Sequence, residues 1–208
     1  MEYLNGSTLS LYLMSQPISS TYKIIDELIK FILNCKTKNY SKNKNIIFQN
    51  KIQNLQKKKF FKDKFYFKIF NFLRGYNWYN IETSPSHGDL SLENIIIKNN
   101  LIKFIDISAN FIESYKLDIS KIMFDLICLW SFRNVNLKID QLKIYSLKRY
   151  LIEHFSKKLS KDDFIDIKML IILDFIRVLD YTKNKEDLNL LKKKLKHFYE
   201  NINTPLRW

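Results

Sequence analysis

The chain has 208 residues, of which 46% are hydrophobic and 15% aromatic, so it is long and apolar enough to bury one sizeable core. This composition excludes an intrinsically disordered chain. The apolar run 169–173 is closed by Asp174, far short of the roughly 20 residues that cross a bilayer. Because no basic start precedes an apolar stretch at the N-terminus either, we expect no secretory signal, no membrane span and a cytoplasmic protein.

The net charge of +14, from 35 basic and 21 acidic residues, raises the question of a nucleic-acid partner. Only five of the basic residues are arginine, the side chain best suited to bidentate contacts with phosphates and base edges. AT-rich codons would produce the observed excess of lysine, asparagine and isoleucine, and we interpret the charge in that way. A helical nucleic-acid-binding module is the less favoured alternative, and it would require salt-dependent binding to random DNA.

The first predicted helix follows Pro17, a residue suited to a first helical turn. Its apolar face is formed by residues at three- and four-residue spacing, namely Ile18, Tyr22, Ile25, Leu28, Ile29 and Ile32. Residues 36–45 are mostly polar and predict an exposed loop. A second amphipathic helix begins with Phe48.

A third helix is predicted over residues 60–73 and is ended by Gly75. Its apolar positions are Phe61, Phe65, Ile69, Phe72 and Leu73. So many phenylalanines favour a core over a base-stacking platform, since stacking surfaces lie on exposed strands or grooves.

Residues 86–97 combine an exposed turn with a run of β-branched residues, which predicts a loop that opens into a buried strand. A hairpin follows, with its turn at residues 99–100, because asparagine tolerates the left-handed conformation of a tight turn. The returning strand leads to Asp106. Phosphoryl transfer needs a carboxylate for the attacking hydroxyl and oxygen ligands for magnesium, and Asp89, Asn94 and Asp106 fit these requirements.

The remaining chain predicts helices. A strongly buried helix runs from Ile119 to Trp130, and three others cover residues 138–158, 161–181 and 185–201. The second of these three starts with a near capping box at residues 160–163. We therefore predict an α+β fold that is predominantly α, with one short β-hairpin at the catalytic loop.

Three motifs carry a resemblance to a known family. His-Gly-Asp-Leu-x-x-x-Asn at residues 87–94, followed by Phe-Ile-Asp at 104–106, resembles the catalytic loop of the aminoglycoside phosphotransferase and choline kinase family, which has a protein-kinase-like fold. Leu-Asp-Ile-Ser-Lys at 117–121 is similar to the family's Asp-Leu-Ala-Lys helix start. Residues 1–9 resemble the hinge that links the two lobes of these kinases.

The resemblance implies an ATP-dependent phosphotransferase that uses magnesium and acts on a hydroxyl of a small molecule. Asp89 would orient and deprotonate that hydroxyl, His87 would brace the loop, and Asn94 and Asp106 would hold magnesium. Asp118 would be structural, capping backbone amides or bracing the loop. We expect a sugar or amino alcohol of cell-surface biosynthesis as the acceptor, and we assign no acceptor-binding residue.

The resemblance also implies a domain organisation. Residues 1–13 would form the hinge segment, with the backbone of Glu2 and Leu4 along the adenine, and residues 14–208 the helical C-terminal lobe with its catalytic loop at 86–107. Because the chain opens at the hinge, we expect its N-terminal lobe to be missing and to be supplied upstream or by a separate chain. The 208-residue chain alone would then bind ATP weakly and turn over little or nothing. The alternative is a catalytically incomplete kinase-like lobe that acts as a binding or partner-dependent module.

Overall fold

The computed structural model describes residues 5–37, 39, 43–58, 61–108, 112–133 and 140–203. The described residues form three short strands, β1 (Ser7–Thr8), β2 (Ile95–Lys98) and β3 (Leu101–Phe104). They also form the α-helices α1 (Leu9–Ser15), α2 (Ile18–Asn34), α3 (Lys44–Gln56), α4 (Lys64–Gly75), α5 (Tyr115–Cys128), α6 (Gln141–Ser156), α7 (Lys161–Tyr181) and α8 (Lys185–Glu200). The protein is thus rich in α-helix and has one small antiparallel sheet, as predicted.

Helices α5 and α7 form the centre of the core. Every residue of α5 is buried, and so are most residues of α7. A helix that is buried all round must give each of its polar side chains a partner, because an unpaired polar group in the interior is costly. The other helices surround this pair, with α8 and α3 against α7 and with α2 and α6 against α5.

The three strands pair in the order β1, β2, β3. Strands β2 and β3 form the predicted hairpin, with Lys98 opposite Leu101. Asn99 and Asn100 make its two-residue turn with φ of 51° and 59°, the left-handed values that such a turn requires. The predicted hairpin and its turn are therefore confirmed.

Strand β1 places the first described residues against this hairpin, with Ser7 opposite Ile97. A side chain at Gly6 would meet the Ile96 side chain at 2.6 Å and the Ile97 carbonyl oxygen at 2.8 Å. Glycine therefore permits this close approach of the N-terminal segment to β2. Glu2 and Leu4, the predicted adenine contacts, lie outside the described residues.

Two predicted details of the phenylalanine-rich helix are wrong. The helix α4 begins at Lys64 and not at residue 60, because Asp63 caps it by accepting a hydrogen bond from the Phe65 amide at 2.6 Å. Phe72 lies at the exposed side of α4 and not in the core. Helix α4 has more aromatic residues than one buried face can hold, so some of these side chains lie at the surface.

One other predicted boundary is also wrong. The buried helix ends at Cys128 and does not include Trp130, since Leu129 adopts a left-handed conformation with φ of 58°. The next helix, predicted from about residue 138, begins at Gln141 after the cap Asp140, and residue 138 lies outside the described residues. In contrast, the predicted start and end of α7 are confirmed. Within the described ranges, none of the helices combines the length and the apolar character that crossing a membrane requires.

Candidate active site

Asp89 lies in a tight loop that leads into β2. The Asp89 carbonyl oxygen accepts hydrogen bonds from the Ser91 amide at 2.8 Å and from the Asn94 side-chain amide at 2.9 Å. The Asn94 backbone amide in turn donates to the Ser91 carbonyl at 3.1 Å. The Asp89 side chain remains 47% exposed, so a hydroxyl from solvent can reach its carboxylate.

Asn94 lies directly beside this carboxylate. Its Nδ2 is 3.4 Å from Asp89 Oδ2, in addition to its bond with the Asp89 carbonyl. Both contacts use the nitrogen of the amide as a donor, and this network fixes which way the amide points. The amide oxygen of Asn94 is therefore the atom that can meet a cation.

Asp106 is held next to the loop by two backbone hydrogen bonds, one on each side of it. The Ile105 amide donates to the Asn94 carbonyl at 3.1 Å, and the Ser108 amide donates to the His87 carbonyl at 3.1 Å. Asp106 itself is exposed and has φ of 54°. Aspartate is among the residues that adopt this left-handed conformation, and such unusual backbone often marks functional positions. The structure thus brings Asp89, Asn94 and Asp106 together on one face.

Gly88 makes this close approach of loop and hairpin feasible. It has φ of +85°, and a Cβ atom built on it would lie 2.0 Å from the Ser108 carbonyl oxygen. No other residue could occupy the position without moving the segment that follows Asp106.

His87 is a buried support of the loop. Its Nδ1 accepts a hydrogen bond from the Asp89 amide at 3.3 Å, and its ring packs edge-on against Phe104 with centroids 5.8 Å apart. Burial lowers the pKa of His87, outweighing the nearby carboxylates of Asp89 and Asp106. A neutral ring whose Nδ1 is an acceptor fixes the turn and has no direct contact with a reacting hydroxyl.

Helix α5 supports the loop from below through two carboxylates. Asp118 accepts hydrogen bonds from the His87 amide at 2.8 Å and from the Gly88 amide at 3.0 Å. Asp125, two turns further on, accepts one from the Leu92 amide at 2.9 Å. Burial raises the pKa of Asp118 to about 6 although the two amide donors act in the opposite direction.

Between these carboxylates, α5 contributes a cation. Lys121 Nζ lies 3.1 Å from Asp89 Oδ1 and 3.3 Å from Oδ1 of Asp174 on α7. Asp174 also accepts a hydrogen bond from the Ser120 hydroxyl at 2.9 Å and pairs with Arg177 at 3.2 Å. Burial opposes the charge of Lys121, but Asp174 and Asp89 together raise its pKa. The Lys121 ammonium therefore stays charged, and it lies beside Asp89 Oδ1.

Sequence reasoning gave no role to Lys121, Asp125 or Asp174. The first two could have been found, because Asp118, Lys121 and Asp125 recur at three- and four-residue spacing in a largely apolar helix and so lie on one face. The sequence gives no such signal for Asp174, because its partners Ser120 and Lys121 lie on another helix. The pattern of α7 alone is equally compatible with a carboxylate at the surface.

Three surface clefts lie away from the face formed by Asp89, Asn94 and Asp106. Clefts of about 510, 830 and 420 Å³ occur elsewhere on the described surface, and none of them is lined by Asp89, Asn94 or Asp106. The largest lies between α2 and β3. The Asp89 side chain is instead partly exposed, and Asp106 is exposed.

The chemistry of the face suits a hard cation. The described residues contain no group of three or more histidine, cysteine or acidic side chains arranged to hold a metal. Magnesium, however, is commonly bound by one or two protein oxygens together with phosphates of a nucleotide. The Asp106 carboxylate and the Asn94 amide oxygen are ligands of that kind, so these residues fit magnesium held jointly with a nucleotide.

Comparison of the chain with protein-family models, curated proteins and solved structures gives no match. The functional interpretation therefore depends on the motifs and on the geometry of this face.

Proposed function

We propose that the chain is an ATP-dependent phosphotransferase resembling the C-terminal lobe of the aminoglycoside phosphotransferase and choline kinase family. The observation that carries the proposal is the placement of Asp89, Asn94 and Asp106 on one face, where two backbone hydrogen bonds join loop to hairpin. A carboxylate for the acceptor hydroxyl and two oxygen ligands for magnesium are the parts that this reaction requires.

In the proposed reaction, the acceptor hydroxyl oxygen attacks the γ-phosphorus of ATP. The bond from that phosphorus to the β,γ-bridging oxygen breaks, and ADP leaves with the electron pair. Asp89 accepts the hydroxyl proton, in an orientation set by Lys121 and Asn94. Magnesium, when bound through Asn94 and Asp106, would neutralise phosphate charge.

The N-terminal segment supports the same proposal. In the resembled family this segment runs along the adenine, and here residues 7–8 pair with β2 of the hairpin that leads to Asp106. The close contact at Gly6 keeps the segment against that strand.

Phosphate transfer from radiolabelled ATP to a panel of hydroxyl compounds, with calorimetry of magnesium-ATP binding, tests the proposal. We expect Asp89→Asn to lose transfer but keep nucleotide binding, and Asp106→Ala to lose both. Glu93→Gln is the matched control, because Glu93 lies in the same loop but pairs with Arg133 at 3.7 Å. The proposal fails if the wild-type chain neither binds magnesium-ATP at millimolar concentration nor transfers phosphate, or if Asp89→Asn retains full transfer.

A binding module without turnover is the second candidate function. The observation that favours it is the ion pair of Asp89 with Lys121, since a carboxylate with a purely structural role would also be paired. Magnesium-dependent ATP binding without transfer to any acceptor would favour this candidate.

A further inference from the structure

The carboxylate of Asp89 is in contact with one lysine of α5. Lys121 Nζ lies 3.1 Å from Asp89 Oδ1, and the side-chain amide of Asn94 lies 3.4 Å from Oδ2. Asp118 and Asp125 accept hydrogen bonds from backbone amides of the loop, which fixes the path of the backbone and not the Asp89 side chain. A lysine side chain is long and flexible, so its ammonium can hold Asp89 only if the ammonium is itself held in place.

Asp174 holds this ammonium from the side of α7. Its Oδ1 lies 3.3 Å from Lys121 Nζ, and its side chain is only 3% exposed. Burial opposes the charge of Lys121, and among the charged groups around it Asp174 does most to keep its pKa raised, ahead of Asp89. Both the position and the charge of the ammonium beside Asp89 therefore depend on Asp174.

Asp174 is in turn fixed through both of its oxygens. Its Oδ2 accepts a hydrogen bond from the Ser120 hydroxyl at 2.9 Å, and its Oδ1 lies 3.2 Å from the Arg177 guanidinium. The charge of Arg177 acts against that of Lys121. If Asp174 lost its negative charge, the two cations would repel each other and the Lys121 ammonium would lose its fixed position.

Packing alone is a weak reason for an ion pair between α5 and α7. Desolvation of both charges offsets their attraction, and apolar side chains of similar size often pack as well. A cation at position 121, however, is what contacts the Asp89 carboxylate. The other buried pair between these helices, Lys116 with Asp166, belongs to a separate cluster whose further members are Glu82 and Asp163.

We propose that Asp174 is a positioning residue for phosphoryl transfer, which holds the Lys121 ammonium and through it sets the orientation of the Asp89 carboxylate. Asp174 acts from α7 through these contacts and does not touch the reacting groups. The inference rests on the proposed phosphotransferase function for the role of Asp89. The contacts from Asp174 through Lys121 to Asp89 stand on the geometry of α5 and α7.

Steady-state kinetics of Asp174→Asn test the inference, with the hydroxyl compound that is labelled fastest in the panel as acceptor. A misplaced base slows the chemical step but leaves binding of both substrates intact. We expect kcat to fall about tenfold to a hundredfold, and the KM values for magnesium-ATP and for the acceptor to stay within about twofold of wild type.

Asp166→Asn is the matched control. Asp166 is a buried carboxylate of the same helix and also pairs with a lysine of α5, but that lysine, Lys116, belongs to the separate cluster. Circular dichroism checks that each variant is folded at the assay temperature. We expect Asp166→Asn to keep kcat within about twofold of wild type. Equal kcat values of folded Asp174→Asn and Asp166→Asn overturn the inference and leave the phosphotransferase proposal intact.

A double-mutant cycle with Lys121→Met shows whether Asp174 acts through this lysine. Lys121→Met removes the contact with Asp89 but leaves Asp174 with Arg177 and Ser120 as partners. Adding Asp174→Asn to Lys121→Met should then lower kcat by less than about twofold further, whereas losses that multiply overturn the inference. If Asp174→Asn does not fold, Ser120→Ala replaces it, because this change keeps the charge of Asp174 and removes its Oδ2 contact. An unchanged kcat of Ser120→Ala then overturns the inference.

An NMR measurement separates this inference from the proposed function, because it needs neither ATP nor turnover. The ammonium nitrogen of Lys121 is observed directly, and its coupling to the Asp89 carboxyl carbon reports the hydrogen bond between them. We expect Asp174→Asn to abolish this coupling and Asp166→Asn to keep it. Coupling that persists in Asp174→Asn overturns the inference whatever the activity. Coupling lost only in Asp174→Asn, in a chain that transfers phosphate to no member of the panel, supports the positioning role and counts against the phosphotransferase.

Discussion

At the residue scale, the candidate site depends on backbone conformations that few side chains permit. Gly88 and Asp106 both have positive φ, and they lie on the two segments that the His87 and Ser108 backbones join. Asp106 can adopt its conformation as an aspartate, but Gly88 also needs the space that a missing side chain leaves. The close approach of the segments that carry Asp89 and Asp106 thus depends on one glycine.

We expect Gly88→Ala to destabilise the protein by at least about 2 kcal/mol. The left-handed conformation alone costs an alanine about 1–2 kcal/mol, and the contact with the Ser108 carbonyl adds to this. Urea unfolding measures the loss. The control is Gly75→Ala, because an added methyl group at the end of α4 meets no atom within 4 Å. It should leave stability unchanged or raise it slightly. Equal stabilities of the two variants would show that Gly88 is not required by the backbone.

At the element scale, α5 supports the loop that carries Asp89, the candidate catalytic residue. Asp118, Lys121 and Asp125 occupy successive turns of one face and contact the loop at its start, middle and end. Each of these buried charges is compensated by backbone amides or by an opposite charge, as a fully buried helix requires. Leu90 and Leu92 of the same loop are fully buried in the core, so apolar packing and the polar contacts with α5 position the loop together.

Sequence patterns correctly predicted the structural features that depend on residues close together in the sequence. The turn at residues 99–100 fixes the hairpin, and the Ser160 capping box fixes the start of α7. The contacts of Lys121 with Asp89 and Asp174 join three segments that are remote in sequence, so no local pattern contains them. Phe72 was misassigned to the core because helical spacing alone does not say how wide the buried face is.

Replacement of Asp118 tests this support. Asp118→Ala leaves the amides of His87 and Gly88 without their acceptor, and a buried unpaired amide costs about 1–3 kcal/mol. We expect a loss of about 2 kcal/mol or more in the free energy of unfolding near pH 5. Glu200→Ala, a surface change in α8, should stay within about 0.5 kcal/mol of wild type. An unchanged melt of Asp118→Ala would exclude the supporting role.

The effect of Asp118 should depend on pH in a defined direction. Its pKa is raised to about 6 by burial, so between about pH 4 and 6 the folded state holds a proton that the unfolded state has released. The stability that Asp118 contributes is therefore greatest at the acid end of this window and decreases as the pH rises through 6. The difference in unfolding free energy between wild type and Asp118→Ala should be larger at pH 5 than at pH 7. A titration of the Asp118 carboxyl carbon by NMR gives the same pKa directly.

At the scale of the whole molecule, a buried ion cluster joins parts of the chain that lie far apart in sequence. Lys116 Nζ on α5 lies 2.6 Å from one oxygen each of Glu82, Asp163 and Asp166. The contact with Asp166 has hydrogen-bond geometry, and the Tyr76 hydroxyl also donates to Asp166. The cluster connects the segment before the Asp89 loop with α5 and α7, which form the centre of the core.

The three carboxylates of this cluster keep Lys116 protonated. Burial opposes the charge of Lys116, but contacts with Asp163, Asp166 and Glu82 outweigh it and hold the pKa of the lysine above its ordinary value. One ammonium therefore stays charged among three carboxylates. Removing it would leave these carboxylates buried against one another.

We expect Lys116→Met to be the most damaging of the substitutions considered. Breaking a buried ion pair from one side costs about 3–5 kcal/mol, because an uncompensated charge remains inside, and here three carboxylates lose the same partner. Chemical unfolding monitored by circular dichroism measures the loss. Lys196→Met is the matched control, since Lys196 pairs with Glu200 at 4.0 Å on the exposed side of α8 and should change stability by less than about 0.5 kcal/mol. Glu82→Gln combined with Lys116→Met should recover part of the loss, because it removes one of the uncompensated charges. If Lys116→Met unfolds at the same urea concentration as Lys196→Met, the cluster does not hold the Glu82 segment to the helical core.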